Sequence, residues 1–317
     1  MCEILTLGEP MALFLADQEG ALDQIENFTK LVAGAEVNFA IGMARLGHNV
    51  AYITKLGEDP FGKYINNFLL QNKIDTRYVT FDTGHFTGFQ MKSKVQVGDP
   101  EVFYFRRHSA ASHLQPEDIN TISWDSVKHL HVTGIPPALS LDCRDVIYEL
   151  TAIARKKGIC ISFDTNLRPQ LWKSKEEMIR VINDLAFRSD IVLPGINEGK
   201  ILTGSDDPNV IADFYLTKGV KTVIIKLGDK GAFVKTQDTS FFVDGFKVET
   251  VIDTVGAGDG FAVGVVSGLR AGLSLKEAVV RGNAIGALAV MSPGDNDGLP
   301  NKQELDKYLK DNFPSHC

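Results

Sequence analysis

The segment DTVGAGDG, residues 253–260, combines small residues with carboxylates in a pattern that suits phosphate chemistry. It predicts a turn from a strand end into a helix, where backbone N–H groups lack intrahelical partners. Glycine lets such a backbone approach a phosphate closely, so Gly256, Ala257 and Gly258 are predicted to form an anion hole. Asp259 would lie beside it and accept the proton of an attacking hydroxyl. The segment therefore predicts phosphoryl transfer to an alcohol; the alternative is an aspartate that only complements the helix dipole.

Two further segments offer binding groups. In AGAEVNFA (33–40), Gly34 would bring backbone N–H groups to a substrate, and Asn38 would present its amide to sugar hydroxyls one turn later. In KLGDKGA (226–232), a strand–turn–strand with two glycines predicts a wall of a nucleotide site at the carboxyl edge of a sheet. Alone, neither segment is specific, because both patterns also occur in ordinary helix starts and hairpins.

The elements that must position these residues alternate along the chain. The predicted strands are Glu3–Leu7, Val50–Thr54, His129–Thr133, Ile159–Phe163, Asp190–Leu193 and Thr222–Lys226. The predicted helices include Val37–Leu46, Phe61–Gln71, Leu141–Lys157 and Lys175–Phe187. This alternation predicts a Rossmann-like, three-layer α/β body with a mostly parallel central sheet. Nearer the C-terminus, two helical patterns rich in small residues are separated at Gly272, and Ser274 with Glu277 predicts a capping box for the second.

One region departs from this alternation. TGFQMKSKV and EVFYFRR are joined by QVGDP, which predicts an antiparallel hairpin, and the stretch after the first strand is also non-helical. Segments at about 10–33 and 86–108 are therefore predicted to form a small β-sheet lid, inserted in a single domain spanning 1–317. A lid of this kind would exclude water from phosphoryl transfer. The alternative is an irregular edge of the main sheet.

Composition excludes several classes of protein. A net charge of −7 gives no electrostatic footprint for nucleic acid or an anionic membrane. No apolar run approaches a membrane span, and the N-terminus does not have the pattern of a signal peptide. The four cysteines are scattered, which predicts reduced thiols and a cytoplasmic protein.

Taken together, AGAEVNFAIGMARLG and DTVGAGDGFAVG resemble the two signature segments of the ribokinase-like, or PfkB, family of carbohydrate kinases. The resemblance covers essentially the whole chain, and PEVFYFRRHSAAS, HLHVTGIPPALS, ISFDTNLRPQLW and VLPGINEG resemble the 2-keto-3-deoxygluconate kinases within it. It implies a ribokinase-like fold, Mg²⁺ and ATP as cofactors, and phosphorylation of 2-keto-3-deoxygluconate to its 6-phosphate.

The resemblance also implies roles for individual residues. Asp259 matches the catalytic base, and Gly256, Ala257 and Gly258 match the anion hole. The implied substrate-binding residues are Gly34, Asn38, Tyr104, Arg106 and Arg168, and the implied ATP-binding residues are Lys226, Gly228, Gly231 and Asn283.

The arginines agree with an acidic substrate, because a guanidinium binds a carboxylate in a planar fork. Neighbours in a strand alternate faces, so only one of Arg106 and Arg107 can point into the cleft. We expect it to be Arg106, on the face of Tyr104; a solvated lid face or a subunit contact is the alternative. Arg168 is predicted to bind either the substrate carboxylate or the γ-phosphate.

Metal sites follow the family pattern less closely. Gly195 stands where many family members have Asn, but Glu198 keeps the acidic position and is predicted to help hold Mg²⁺ through water. Asp253 and Val255 match positions that bind a monovalent cation such as K⁺ in relatives, with the loop 292–298 supplying further ligands. Asp253 is alternatively a structural cap.

Other functions remain as alternatives at this point. A kinase of a neutral sugar such as fructose or ribose would share the fold, and a non-catalytic sugar-binding regulator would have no need of Asp259. A Rossmann dehydrogenase is excluded because LGEPMALF, not GxGxxG, follows the first strand. His129 and His131 are expected to be buried histidines and not metal ligands. The open, apolar lid edges predict pairing of lids in a homo-oligomer.

Overall fold

The computed structural model describes residues 2–95, 100–292 and 294–312. Its strands, in chain order, are β1 (Ile4–Leu7), β2 (Met11–Glu19), β3 (Phe28–Ala33), β4 (Val50–Gly57), β5 (Asp75–Asp82), β6 (Phe89–Lys94), β7 (Val102–Phe105), β8 (His129–Thr133), β9 (Cys160–Asp164), β10 (Ile191–Val192), β11 (Thr222–Lys226), β12 (Ala232–Thr236) and β13 (Ser240–Val243). Its α-helices are α1 (Ala35–Arg45), α2 (Pro60–Gln71), α3 (Pro136–Leu139), α4 (Leu141–Lys156), α5 (Lys175–Phe187), α6 (Ile196–Thr203), α7 (Pro208–Leu216), α8 (Ala257–Arg270), α9 (Leu275–Ala289) and α10 (Lys302–Asn312).

The larger sheet has the order β13-β12-β11-β10-β9-β8-β1-β4-β5, and its neighbours pair parallel except that β12 pairs antiparallel with both β11 and β13. Alternate residues of its strands enter two separate apolar cores: Leu5 packs in one and Ile4 in the other. Helices α4, α5 and α7 cover the first face, and α1, α2, α8, α9 and α10 cover the second. The predicted three-layer α/β fold is confirmed.

The small sheet, ordered β3-β2-β6-β7, is separate from the larger one. β6 and β7 pair antiparallel, as the hairpin prediction requires, while β2 and β6 pair parallel. The predicted QVGDP turn between β6 and β7 lies largely outside the described residues.

The prediction that a strand ends at the DTVGAGDG segment is wrong. The last strand ends at Val243, and residues 244–256 form neither strand nor helix. The N–H groups of Ile252 and Asp253 donate instead to the carbonyl oxygen of Val290, at 2.8 and 3.3 Å. The apolar residues of this segment suggested a strand, but Val251 and Ile252 are exposed.

Small residues allow α8 and α9 to pack closely. A Cβ atom on Gly264 would lie 2.5 Å from backbone atoms of Gly282. The predicted capping box is present, since the backbone N–H of Ser274 donates to the Glu277 carboxylate (2.8 Å) and the Glu277 N–H donates to the Ser274 hydroxyl (3.3 Å). Across the described ranges, every helix is too short or too polar to span a bilayer.

Candidate active site

A cavity of about 360 Å³ lies where the carboxyl edge of the larger sheet meets the small sheet. We call it the charged cavity, because its wall includes Glu9, Glu36, Lys92, Arg106, Asp164, Arg168, Glu198, Lys226, Asp259 and Asp295. In a parallel sheet the carboxyl ends of all strands meet at one edge, which brings together residues that follow β1, β9, β10 and β11.

Asp259 lies in the first turn of α8 and faces this cavity. The Asn38 amide donates to its Oδ2 (2.8 Å), and the Asn166 amide lies 3.4 Å from its Oδ1. Burial raises the pKa of Asp259 to about 7, with the Asn38 hydrogen bond opposing and the charge of Asp164 adding to the rise. A carboxylate with that pKa can exchange a proton near neutral pH.

The turn before α8 has a backbone that only glycine adopts easily. Gly256 has φ 82°, and a Cβ atom there would lie 2.4 Å from the carbonyl oxygen of Asp295. Ala257 is the first residue of α8, and Gly256 and Gly258 line the charged cavity. The free N–H groups of the helix start therefore open at the same cavity as Asp259.

Gly34 and Asn38 lie at the start of α1 and also line the charged cavity. Gly34 has φ 142°, and a Cβ atom would lie 2.8 Å from the carbonyl oxygen of Glu9. Asn38, which is predicted to bind sugar, donates one amide hydrogen to the carboxylate of Asp259. Its contribution to the site is therefore at least partly to orient that carboxylate.

Arg106 enters the cavity from the small sheet. It is 8% exposed, whereas its neighbour Arg107 is exposed, so the two side chains diverge as predicted. The guanidinium binds Oε2 of Glu9 through Nε (2.6 Å) and Nη2 (2.5 Å), and Ser109 donates to Oε1. Tyr104, whose ring lies 5.7 Å from the guanidinium carbon, also lines the cavity but is 42% exposed.

Arg168 follows β9 and lines the same cavity. Asn166, at φ 34°, turns the chain after Asp164, and Nη1 of Arg168 donates to the carbonyl oxygen of Leu167 (3.0 Å). Among the described residues, none places a carboxylate within ion-pair distance of Arg168. Its guanidinium therefore keeps most of its donors for a ligand.

Glu198 accepts hydrogen bonds from the N–H groups of Gly195 and Leu167 and from the hydroxyl of Thr165, each at 2.7 Å. Burial alone would raise the pKa of Glu198. The charge of Lys226 and these three donors outweigh that effect, so the pKa is lowered overall. The carboxylate thus stays ionised and has little capacity left for direct metal binding. Contact with Mg²⁺ through water fits this arrangement, since Mg²⁺ keeps most of its waters. The described residues contain no cluster of three acidic, histidine or cysteine side chains that could hold a metal by themselves.

Lys226, at the end of β11, marks the boundary with a second cavity. Its Nζ lies 2.8 Å from both carboxylate oxygens of Asp164. A Cβ atom on Gly258 would lie 3.4 Å from the same Nζ. Lys226 and Gly258 line both cavities, so the two open onto the same helix start.

The second cavity, of about 760 Å³, is built mainly from backbone and apolar side chains. We call it the glycine-rich cavity; its wall includes Gly228, Gly231, Gly245, Val251, Phe261, Asn283, Gly286 and Val290. Asn283 donates to the carbonyl oxygens of Val243 (3.2 Å) and Asp244 (3.0 Å), which fixes the chain that follows β13. All four predicted ATP-binding residues, Lys226, Gly228, Gly231 and Asn283, lie on this wall.

The carboxylate of Asp253, predicted to bind a monovalent cation, is already paired with a side chain. Its Oδ1 accepts the N–H of Val255 (3.0 Å), and its Oδ2 lies 2.5 Å from Nζ of Lys92. Asp295, in the predicted cation loop, is 3.1 Å from the same ammonium. The carboxylates of Asp253 and Asp295 thus share the Lys92 ammonium.

Sequence reasoning missed Glu9, Glu36, Lys92 and Asp164 of the charged cavity, and it indicated Asp295 only as part of the loop 292–298. Position after a strand could have indicated Glu9 and Asp164, since both follow predicted strands at the carboxyl edge. Glu36 hydrogen-bonds Thr133, and burial raises its pKa to about 7. Nothing local marks Lys92, because its partners Asp253 and Asp295 are distant in sequence.

The two histidines of β8 are structural, as expected. Nε2 of His129 and Nδ1 of His131 share the hydroxyl of Ser162, at 2.7 and 2.8 Å. Burial lowers the pKa of His129 to about 3, so it is neutral at physiological pH.

Fold and site together define an α/β protein in which a charged small-molecule cavity and a larger apolar one meet at a glycine-rich helix start. The profile described as pfkB family carbohydrate kinase matches residues 1–302. The chain belongs to this family and is a carbohydrate kinase.

Two of the relatives have the same enzyme name. The chain is 48% identical over 308 residues to the 2-dehydro-3-deoxygluconokinase of Bacillus subtilis, covering 97% of this chain and 95% of the relative. It is 33% identical to the enzyme of the same name from Thermoproteus tenax, covering 98% and 95%.

Solved structures agree on the fold. A PfkB protein from a Polaromonas species matches with TM-score 0.90 and 45% identity, over 96% of this chain and 99% of that chain. A protein described as a ribokinase II from E. coli, solved with ATP and Mg²⁺, matches with TM-score 0.89 and 26% identity, over 98% and 100%. A fructokinase double mutant from Vibrio cholerae, solved with fructose, ADP and a potassium ion, matches with TM-score 0.85 and 27% identity, over 98% of both chains.

Proposed function

We propose that this kinase transfers the γ-phosphoryl group of ATP to the 6-hydroxyl of 2-keto-3-deoxygluconate. The observation that carries the proposal is the presence of Arg106 and Arg168 in the cavity that contains Asp259. Arg168 has no carboxylate partner among the described residues, and a buried cleft with an unpaired guanidinium favours an anionic ligand. The 48% identity to a 2-dehydro-3-deoxygluconokinase supports the same substrate class.

Asp259 is the proposed general base. The 6-hydroxyl oxygen attacks the γ-phosphorus, its proton passes to Asp259, and the bond from that phosphorus to the β–γ bridging oxygen breaks to release ADP. The N–H groups of Gly256–Gly258 stabilise the charge that develops on the transferring group. The Asn38 amide, 2.8 Å from Oδ2, holds the Asp259 carboxylate in place and favours its ionised form.

ATP is proposed to occupy the glycine-rich cavity, with its phosphates toward Lys226 and Gly258. The apolar wall suits a base and the glycines allow close backbone contact, while Lys226 lies at the boundary with the charged cavity. Mg²⁺ bound with ATP would neutralise charge on the phosphate oxygens, and Glu198 would reach it through water.

A coupled assay with Mg-ATP across five acceptors tests the substrate: 2-keto-3-deoxygluconate, its galacto epimer, fructose, ribose and adenosine. We expect the two keto-deoxy acids to exceed the neutral acceptors in kcat/KM by about 10² or more, because the guanidinium contacts are lost with a neutral sugar. A lead for fructose or ribose would keep the kinase chemistry and overturn the acidic substrate. Sugar binding without ATP turnover on any acceptor would favour the regulator.

Pairing of small sheets between two subunits is a further proposal. Phe103 and Phe105 of β7 are each 50% exposed on a sheet with an open edge. Light scattering should give a dimer for the wild type and a monomer for Phe103→Glu/Phe105→Glu. Val210→Glu, a matched change at an exposed apolar residue of α7, should remain dimeric. A monomeric wild type would contradict this proposal.

A further inference from the structure

The ammonium of Lys92, on β6, is buried between two carboxylates. Its Nζ is 2.5 Å from Oδ2 of Asp253 and 3.1 Å from Oδ1 of Asp295, and 3% of the side chain is exposed. A lysine is almost never buried to this extent unless it is paired. Burial alone would lower the pKa of Lys92, but the charges of Asp295 and Asp253 outweigh it and raise the pKa. The Lys92 side chain therefore stays positively charged near neutral pH.

Both carboxylate residues contact the turn that begins α8. Oδ1 of Asp253 accepts the N–H of Val255, and the carbonyl oxygen of Asp295 packs against Gly256 so closely that no Cβ would fit there. Without a cation, the two buried carboxylates would repel each other beside the proposed anion hole. A positive charge at this position thus offsets that repulsion and stabilises the turn.

The Vibrio cholerae fructokinase was solved with a potassium ion bound. In a kinase of that kind, the metal ion can supply a positive charge. In this chain the carboxylates of the predicted cation site, Asp253 with Asp295 of the predicted loop, already share an ammonium. One side chain thereby satisfies both, and a potassium ion would have to displace it.

A substrate carboxylate is the rival partner for Lys92, because Lys92 also lines the charged cavity. A third anion would leave a net charge of about −2 around one buried ammonium, which is unfavourable in a site of low dielectric. Arg168 lines the same cavity and has no carboxylate partner among the residues described. Charge balance therefore assigns Lys92 to the turn and leaves the arginine for the substrate.

We propose that the Lys92 ammonium replaces the monovalent cation, so that phosphoryl transfer by this kinase does not require K⁺. The inference rests on the proposed kinase function, and it makes Lys92 a positioning residue that acts through Asp253, Asp295 and the turn. Because β6 belongs to the small sheet, the charge reaches the turn only while that sheet is seated against the body.

The test compares wild type with Lys92→Gln in buffers of constant ionic strength, in which KCl replaces tetramethylammonium chloride. Wild-type kcat should change by less than about twofold, since the Lys92 ammonium already lies between the Asp253 and Asp295 carboxylates. Lys92→Gln should lose about tenfold or more in tetramethylammonium and regain most of that loss in KCl, because K⁺ can then enter between the carboxylates. Lys94→Gln, a matched change at an exposed lysine of the same strand, should behave as wild type.

Thermal unfolding gives a readout that does not depend on turnover. KCl should raise the Tm of Lys92→Gln above its value in tetramethylammonium, and leave wild type and Lys94→Gln unchanged. Activation of the wild type by K⁺ of about tenfold or more would overturn the inference, and this measurement decides even if Lys92→Gln fails to fold. The inference would also be overturned if Lys92→Gln folds and neither its Tm nor its kcat changes with K⁺. If the kinase proposal itself failed, the Tm comparison would still report on the cation site.

Discussion

The charged and glycine-rich cavities meet at one helix start but are built in opposite ways. The smaller is walled mainly by charged side chains, several of them in ion pairs, and the larger mainly by backbone, glycine and apolar side chains. Charge pairs are sensitive to the loss of one partner, because the other is left buried and unpaired. A backbone wall offers fewer side chains whose loss matters.

This difference in construction predicts which cavity selects its ligand and which tolerates substitution. The charged cavity should select its ligand by charge, and single substitutions there should be costly. The glycine-rich cavity should select by shape, and side-chain substitutions there should have small effects. Four experiments test this contrast, and they follow in decreasing order of expected effect.

Asp259→Asn should reduce kcat by about 10²–10⁴-fold, because the proposed base is removed. Stability should not fall in parallel. The folded-state pKa of Asp259 is raised to about 7, so its ionisation opposes folding; that cost is absent below the unfolded pKa and complete above pH 7. The Tm at pH 8 should therefore equal or exceed that of wild type. Near-normal turnover would remove Asp259 from the role.

Arg106→Leu should lower kcat/KM for 2-keto-3-deoxygluconate by about 10²–10³-fold and barely affect a neutral sugar. The Glu9 carboxylate, which pairs with Arg106, would be left buried, so the Tm should also fall. Arg107→Leu, at the exposed neighbour, is the control and should change neither value. Equal losses for acidic and neutral sugars would mean that Arg106 only supports the fold.

The pH dependence of kcat should show the raised pKa of Asp259 directly. The base works only when ionised, so kcat should fall as pH drops through about 7 and reach about one tenth of its plateau at pH 6. Burial also raises the pKa of Glu36 to about 7. Glu36→Gln should therefore be measured alongside, and the inflection should persist in it. An inflection near 4 would contradict the buried-base assignment.

Asn283→Ala should produce the smallest effect, an increase of about three- to tenfold in KM for ATP. The change removes two hydrogen bonds to the carbonyl oxygens of Val243 and Asp244 and loosens one wall of the glycine-rich cavity. KM for the sugar acid should stay constant. A loss as large as that of Arg106→Leu would end the contrast between the cavities.

The same contrast explains what could be predicted from the sequence. The positions of Gly34, Gly256 and Asp259 are set by local backbone geometry, which a short motif records, and the alternating strands and helices predicted the three-layer fold correctly. Arg106 pairs with Glu9 across 97 residues of sequence, and Lys92 pairs with Asp253 across 161. No local sequence pattern indicates such distant pairs. The strand prediction for residues 244–256 was wrong because it relied on their apolar side chains. Val251 and Ile252 are exposed, and the backbone N–H groups of Ile252 and Asp253 donate to the carbonyl oxygen of Val290.

The most direct test of carboxylate recognition compares wild-type kcat/KM for 2-keto-3-deoxygluconate and for its methyl ester. The two acceptors differ mainly in the carboxylate charge. If the charged cavity selects by charge, the acid should be preferred by about 10²-fold or more. Values within about threefold of each other would contradict the claim that the guanidinium groups recognise the substrate's carboxylate.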